Sequence, residues 1–254
     1  MKYGRSTRPF RCLVMIAMLA PLLCYADTAQ VCDDKVIDSL RVTLQIGTEG
    51  NVRAASCKAW PDDKNIMLVA IAYEPPKYPA ATNYQLPLYI AMVNAGTLAI
   101  LSTYKGSIGE DAVTHVNEGS LKLDTARYFL AKDVRAFGLR VSANVEPRFS
   151  EGGYDDSLSL YILEGKEMRP VLRDLAMRHW TYEKGVPGGT KNYTTRVTDF
   201  TLTVAPTVSH GFSDLLISAR TTGNRKILRH KLRYDGKFYP FDIIDLRIKL
   251  SGSK

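Results

Sequence analysis

The chain has 254 residues, with 34 Lys or Arg against 26 Asp or Glu and a formal net charge of +8. A hydrophobic share of 45% and a charged share of 24% are those of a globular protein, which excludes disordered and fibrous classes. The first 26 residues hold four of the cations and no acid, so the remainder carries only +4 and lacks the basic excess of a nucleic-acid binder.

Lys2, Arg5, Arg8 and Arg11 precede an uncharged run from Cys12 to Leu23, broken only by Pro21. A charged segment followed by a short apolar one is the pattern of a secretory signal peptide, and the run is short for a bilayer span. Cys24-Tyr25-Ala26 is a small-x-small triplet, which predicts cleavage after Ala26. Cys24 is a poor lipid-attachment site because Leu23 stands where a small residue is wanted. The expected organisation is a signal peptide over 1–26 and a single mature β-rich domain over 27–254, in the periplasm or secreted, with no transmembrane span after processing.

Two cysteines remain after processing. In an oxidising compartment Cys32 and Cys57 are expected to form a disulfide.

Between 34 and 46 two periodicities compete. Val36, Ile37, Leu40 and Leu44 suit a helix capped by Asp34, whereas Leu40, Val42, Leu44 and Ile46 suit a strand. The reading taken is a short helical turn passing into a strand.

From there on, alternation bounded by Gly, Pro and Asn predicts an all-β fold with at most short helices. A four-strand pattern recurs three times at a spacing of about 80 residues. Its alternating first strands are Leu40 to Ile46, Leu121 to Leu130 and Val197 to Val204. More continuously apolar second strands follow over Met67 to Tyr73, Ala136 to Ala143 and Asp214 to Ala219. Hairpins complete the units: Pro87 to Val93 with Leu98 to Tyr104, Ser157 to Leu163 with Met168 to Leu172, and Ile227 to Tyr234 with Phe238 to Ile244. Each hairpin turns near a glycine, Gly96, Gly165 or Gly236, where a positive φ is expected. The fold class is therefore antiparallel four-strand meander units in three repeats, arranged propeller-like or as a sandwich.

Motifs with chemical meaning weaken on inspection. Ser102-Thr103-Tyr104-Lys105 has S-x-x-K spacing and Ser142-Ala143-Asn144 an S-x-N element, but that chemistry needs the serine at a helix start, and these four residues end a predicted strand. Gly185 to Lys191 departs from a phosphate-binding loop, since Thr190 precedes Lys191 and Asn192 follows it. His210, Ser213 and Asp214 are adjacent in sequence, whereas working triads converge from separate segments. His115, His179 and His230 lack metal-ligand spacing, and Glu110-Asp111 and Asp155-Asp156 lack a calcium-binding ladder. No catalytic, cofactor or metal site is expected. Asn192-Tyr193-Thr194 is a glycosylation sequon of use only in a eukaryotic secretory pathway.

The feature that remains is electrostatic. From Leu215 to Lys254 ten Lys or Arg face three Asp, a local charge of +7. If 225–234 is a strand, Leu228, His230, Leu232 and Tyr234 point inward while Arg225, Arg229, Lys231 and Arg233 form an outward ribbon repeating about every 6.6 Å. Like charges that close cost stability unless a partner answers them, although cations also protect a sheet edge from aggregation. Trp60, Tyr73, Tyr78, Tyr84, Trp180 and Tyr182 fall in or beside predicted loops, where aromatic rings suit glycan stacking or protein contacts. The leading expectation is a non-enzymatic binding protein of the envelope engaging a protein partner, inhibitor- or immunity-like. The alternative is a module for envelope glycan or another anionic polymer. A hydrolase whose residues meet only in three dimensions ranks third.

Overall fold

The computed structural model describes residues 31–47, 49–77, 83–111, 114–142, 144–145, 152–184 and 194–242. The expected leader with its expected cleavage after Ala26, Cys24, Tyr78, Ala143, the segment 185–193 and residues 243–254 lie outside the described residues.

Helix α1 spans Asp34–Thr43, and its N-cap is Asp33 rather than the expected Asp34. The Asp33 carboxylate accepts the Lys35 backbone N–H at 2.8 Å, which satisfies one of the donors a helix start leaves open. Most of the strand expected over Leu40 to Ile46 is thus helix. A strand would bring Val42 to the same face as Leu40 and Leu44, yet Val42 is 70% exposed, while Ile37, Leu40 and Leu44 form a buried helical stripe. Cys32 and Cys57 are disulfide-bonded, joining the segment before α1 to the first strand. No described helix is long and apolar enough to cross a membrane.

The rest is β-structure, as its alternation predicts. Strands β1 (Asn51–Trp60), β2 (Asp63–Glu74), β3 (Asn83–Asn94) and β4 (Ile100–Asp111) form an antiparallel meander. After the short β5 (Thr114–His115), a second meander comprises β6 (Leu121–Ala131), β7 (Val134–Val141), β9 (Gly152–Glu164) and β10 (Glu167–Lys184), with β8 (Asn144–Val145) pairing β5. Strands β11 (Thr194–Ser209), β12 (Phe212–Thr221) and β13 (Leu228–Leu232) complete the sheet. Pairing runs continuously from one meander to the next instead of being confined within blades. Strand β10 is the junction, pairing β9 along most of its length, β11 beyond Arg178, and β4 in parallel where Glu167 meets Thr103.

Two turn expectations differ in detail. Gly165 and Gly236 take positive φ of 65° and 102°, but in the turn near Gly96 the left-handed residue is Leu98, at 57°. Asn94 explains this, since its side chain accepts the backbone N–H groups of Gly96 and Thr97 and holds the turn without a glycine in that conformation. The hairpin strand expected over Phe238 to Ile244 is not a strand in its described part. Instead Tyr239 N–H donates to the Val171 carbonyl at 2.7 Å, carrying the chain across to β10.

The curled sheet encloses two apolar clusters. Leu68, Leu86, Ile90, Leu123, Phe137 and Leu139 belong to one, between the first meander and β6–β7–β9. Leu158, Leu172, Leu175, Leu215, Ile217 and Leu232 belong to the other, under β10–β13. Helix α1 covers the opposite face of β1–β3. From β1, Lys58 Nζ donates to the Leu123 carbonyl of β6 and Arg53 to that of Val116, which lies between β5 and β6. The opposite seam, between β4 and β9, is fastened at one end by Thr103 N–H to the Lys166 carbonyl and bounded at the other by the β5–β8 ladder.

Candidate functional site

The catalytic look-alikes come apart in three dimensions. Ser102 is 2% exposed within β4, and Lys105 lies at the surface over the Tyr89 ring. Residues 185–191 are not described. His210 and Gly211 form the tight turn between β11 and β12, with φ of 48° and 88°, a pair of positive values that suits a two-residue hairpin. His210 Nδ1 lies 2.9 Å from the Tyr234 carbonyl, and the Ser213 carbonyl accepts the Tyr239 hydroxyl at 2.6 Å. The imidazole and Asp214 therefore serve separate structural bonds. Glu110 is buried and accepts the Val116 N–H at 2.6 Å, while Asp156 pairs with Arg140 at 3.0 Å. Among the described residues no three His, Cys, Asp or Glu side chains are grouped as metal ligands.

The basic ribbon has the predicted alternation over a shorter strand. β13 covers 228–232, so Arg225 precedes it and Arg233 follows it. Leu232 and Tyr234 are buried and Leu228 and His230 half-buried, whereas Arg225, Arg229, Lys231 and Arg233 are exposed. Across the register, Arg229 faces Ser218 and Lys231 faces Leu216. β13 pairs only with β12 among the described strands, so it is the outer strand of the described sheet.

Among the described residues, Lys231 is the one of the four cations within ion-pair distance of a carboxylate. Lys231 Nζ lies 3.9 Å from Asp214 and donates to Thr207 Oγ1 at 3.0 Å. Asp214 is 3% exposed, and Thr207 donates to its Oδ2 at 2.5 Å. Burial pushes this carboxyl up, but hydrogen bonds from Thr207 and Ser209 and the charges of Lys231 and Arg233 outweigh it and hold the group below the ordinary aspartate value. The register shift between Val204 and Val208 in β11 is what brings Thr207 over Asp214.

Two of the aromatic residues expected beside loops are core, and Trp180 and Tyr182 are half-buried. Trp60 and Tyr73 are buried, the Tyr73 hydroxyl accepting the Gly50 N–H at 2.9 Å. Trp180 and Tyr182 stack edge to face on β10, with centroids 5.4 Å apart.

Sequence reasoning missed the open seam. Beyond Thr103, β4 parts from β10 and leaves a cleft of about 260 Å³ against β7, β9 and a distorted stretch of β10. Its walls include Tyr104 and Ser107 of β4, Tyr154 and Tyr161 of β9, and Arg173 and Asp174 of β10. The register shift between Leu172 and Leu175 expels Arg173 and Asp174 from the ladder with β9, after a first shift between Pro170 and Leu172 has passed over Val171. Asp174 adopts φ of 50°, a conformation an L-residue takes at a cost. Ser159 fixes it there, accepting the Asp174 N–H at 3.0 Å and donating to its carboxylate at 3.4 Å. The Tyr161 phenol is pushed above its ordinary value by burial, reinforced by Tyr104 and Asp174 and opposed by Ser159 and Arg173, and its ring lies 5.0 Å from that of Tyr104. Asp156 also lines the cleft, its charge answered by Arg140, which bridges it at 3.0 Å and Asp124 at 3.2 Å.

No protein-family model, curated protein or solved structure matches the chain.

Proposed function

We propose that this chain is an exported, non-enzymatic binding protein that engages a protein partner in the cell envelope through the outer face of β12–β13. The observation that carries the reading is the sheet edge at β13. Arg225 and Arg229 have no carboxylate within ion-pair distance among the described residues, and Arg233 and Lys231 share the single carboxylate of Asp214, which is already engaged by Thr207. Unanswered like charge on a rigid sheet is a field that an acidic surface neutralises, which steers association and fixes orientation. The leader in residues 1–26 and the Cys32–Cys57 disulfide support an oxidising compartment.

Mild crosslinking in the native envelope, followed by co-purification at about 0.15 M and about 1 M salt, tests this reading. The expected result is a protein complex that weakens in high salt and is lost in Arg229→Glu/Arg233→Glu, but retained in Arg127→Glu, whose exposed side chain lies on β6. Recovery of the protein alone at the lower salt contradicts it. Binding to an anionic polysaccharide with no protein in the complex replaces it with the glycan alternative.

A further inference from the structure

The cleft between β4 and β9 has a construction that the basic edge does not account for. A register-perfect β10 would place Arg173 and Asp174 in the ladder with β9. The break in register between Leu172 and Leu175 removes them from it and leaves Asp174 with a left-handed backbone. Distortion of this kind is retained where it aims side chains at something. Here it brings a guanidinium and a carboxylate to one end of a cavity whose floor is phenolic. Ser159, itself buried, holds the aspartate in place.

The donors and acceptors specify a ligand. Arg173 is exposed, and no carboxylate lies within ion-pair distance of it among the described residues, so it offers its planar fork to an anion. Asp174 accepts hydroxyls, and so do the oxygens of Ser107 and Ser157, whose own protons go to Gln85 at 2.8 Å and to the Val141 carbonyl at 3.5 Å. Tyr154 presents a partly exposed ring, braced by His179 with centroids 4.8 Å apart. A ring that stacks beside a cluster of hydroxyl acceptors suits a pyranose. The volume of about 260 Å³ lies just below the range that takes drug-sized ligands, which limits the occupant to about one sugar ring.

We infer that the seam between β4 and β9 binds a single uronic-acid-type sugar unit, with its carboxylate on Arg173, its hydroxyls on Asp174 and the serines, and its ring against Tyr154. The site is separate from the edge at β13, and the reading under Proposed function neither requires it nor falls with it.

Titration of the full chain with glucuronic acid, followed by calorimetry and by ligand-observed NMR, tests the assignment, with glucose and acetate as comparison probes. Saturable binding of glucuronic acid is expected, with glucose weaker by about tenfold because it cannot engage the guanidinium. Arg173→Gln, a surface change that leaves the core untouched, should abolish the preference for glucuronic acid over glucose. Asp174→Asn, which tolerates the left-handed backbone, should weaken both sugars. Arg229→Glu/Arg233→Glu should bind glucuronic acid as the unaltered chain does, so a failure of the edge and a failure of the cleft are told apart. Absence of saturable binding, equal affinity for glucose, or a preference unchanged in Arg173→Gln overturns the assignment.

Discussion

Asp214 shows how one side chain sets a pH dependence. Its folded carboxyl titrates below that of an unfolded aspartate, so its contribution to stability is fully present above about pH 4 and is lost as pH falls through the lowered value. Urea titrations of the unaltered chain and of Asp214→Asn check this. The substitution should cost about 1–3 kcal/mol near neutrality, where a buried acceptor and its partners are disturbed, with the gap closing below about pH 4. A gap that stays constant across that range contradicts the assigned role. Gly50 is a steric case: a Cβ there would lie 2.1 Å from the Glu74 carbonyl oxygen, a backbone atom that cannot swing aside. Gly50→Ala should destabilise by about 1–3 kcal/mol or more, measured as a lower denaturation midpoint at unchanged slope. Neither effect is legible in sequence. Asp214 reads as an ordinary strand residue until the β11 irregularity brings Thr207 over it, and Gly50 reads as a loop glycine until Tyr73 and Glu74 close around it.

Among the elements, the Cys32–Cys57 bridge ties the start of α1 to β1 across a sequence separation of 25. Replacing both cysteines by alanine should cost roughly 3 kcal/mol, or about 6–12 °C in Tm for a chain of this size, and calorimetry checks it. Strand β13 separates inward from outward residues cleanly. Leu232→Ala should cost about 2–4 kcal/mol because it empties part of a buried cluster, whereas Arg229→Glu/Arg233→Glu should stay within about 1 kcal/mol of the unaltered chain, the part lost being the help Arg233 gives the Asp214 carboxylate. Equal costs for the two would contradict the facing of the strand. Strong alternation made β6, β11 and β13 readable, and continuous apolar runs did the same for β2 and β12. β1 was harder to read because Arg53, Ala54, Ala55 and Ser56 blur the alternation. The helix was misjudged where Val42 fits a strand by spacing but faces solvent, since only packing on β1–β3 decides between the two periods.

At the scale of the whole molecule, one sheet with a branch point at β10 places two features at separate positions: a basic edge at β13 and an open seam between β4 and β9. The edge was legible because it lies on a single strand, where period two sorts charge from core. The seam was not, because residues near 104, 154–161 and 173 are brought together only by the parallel contact of Thr103 with Glu167 and by the irregularities of β10. Function is proposed from the edge, and its most direct test is a photoreactive residue at Thr203, which is exposed on β11 opposite Leu216, the register neighbour of Lys231. Irradiated in the native envelope, this chain should yield an adduct with a discrete second protein, absent when Arg229 and Arg233 are reversed to Glu and absent from a probe at Phe129 on β6. No adduct at Thr203, or one equally strong after the reversal, would contradict the proposal that an acidic protein docks on this face.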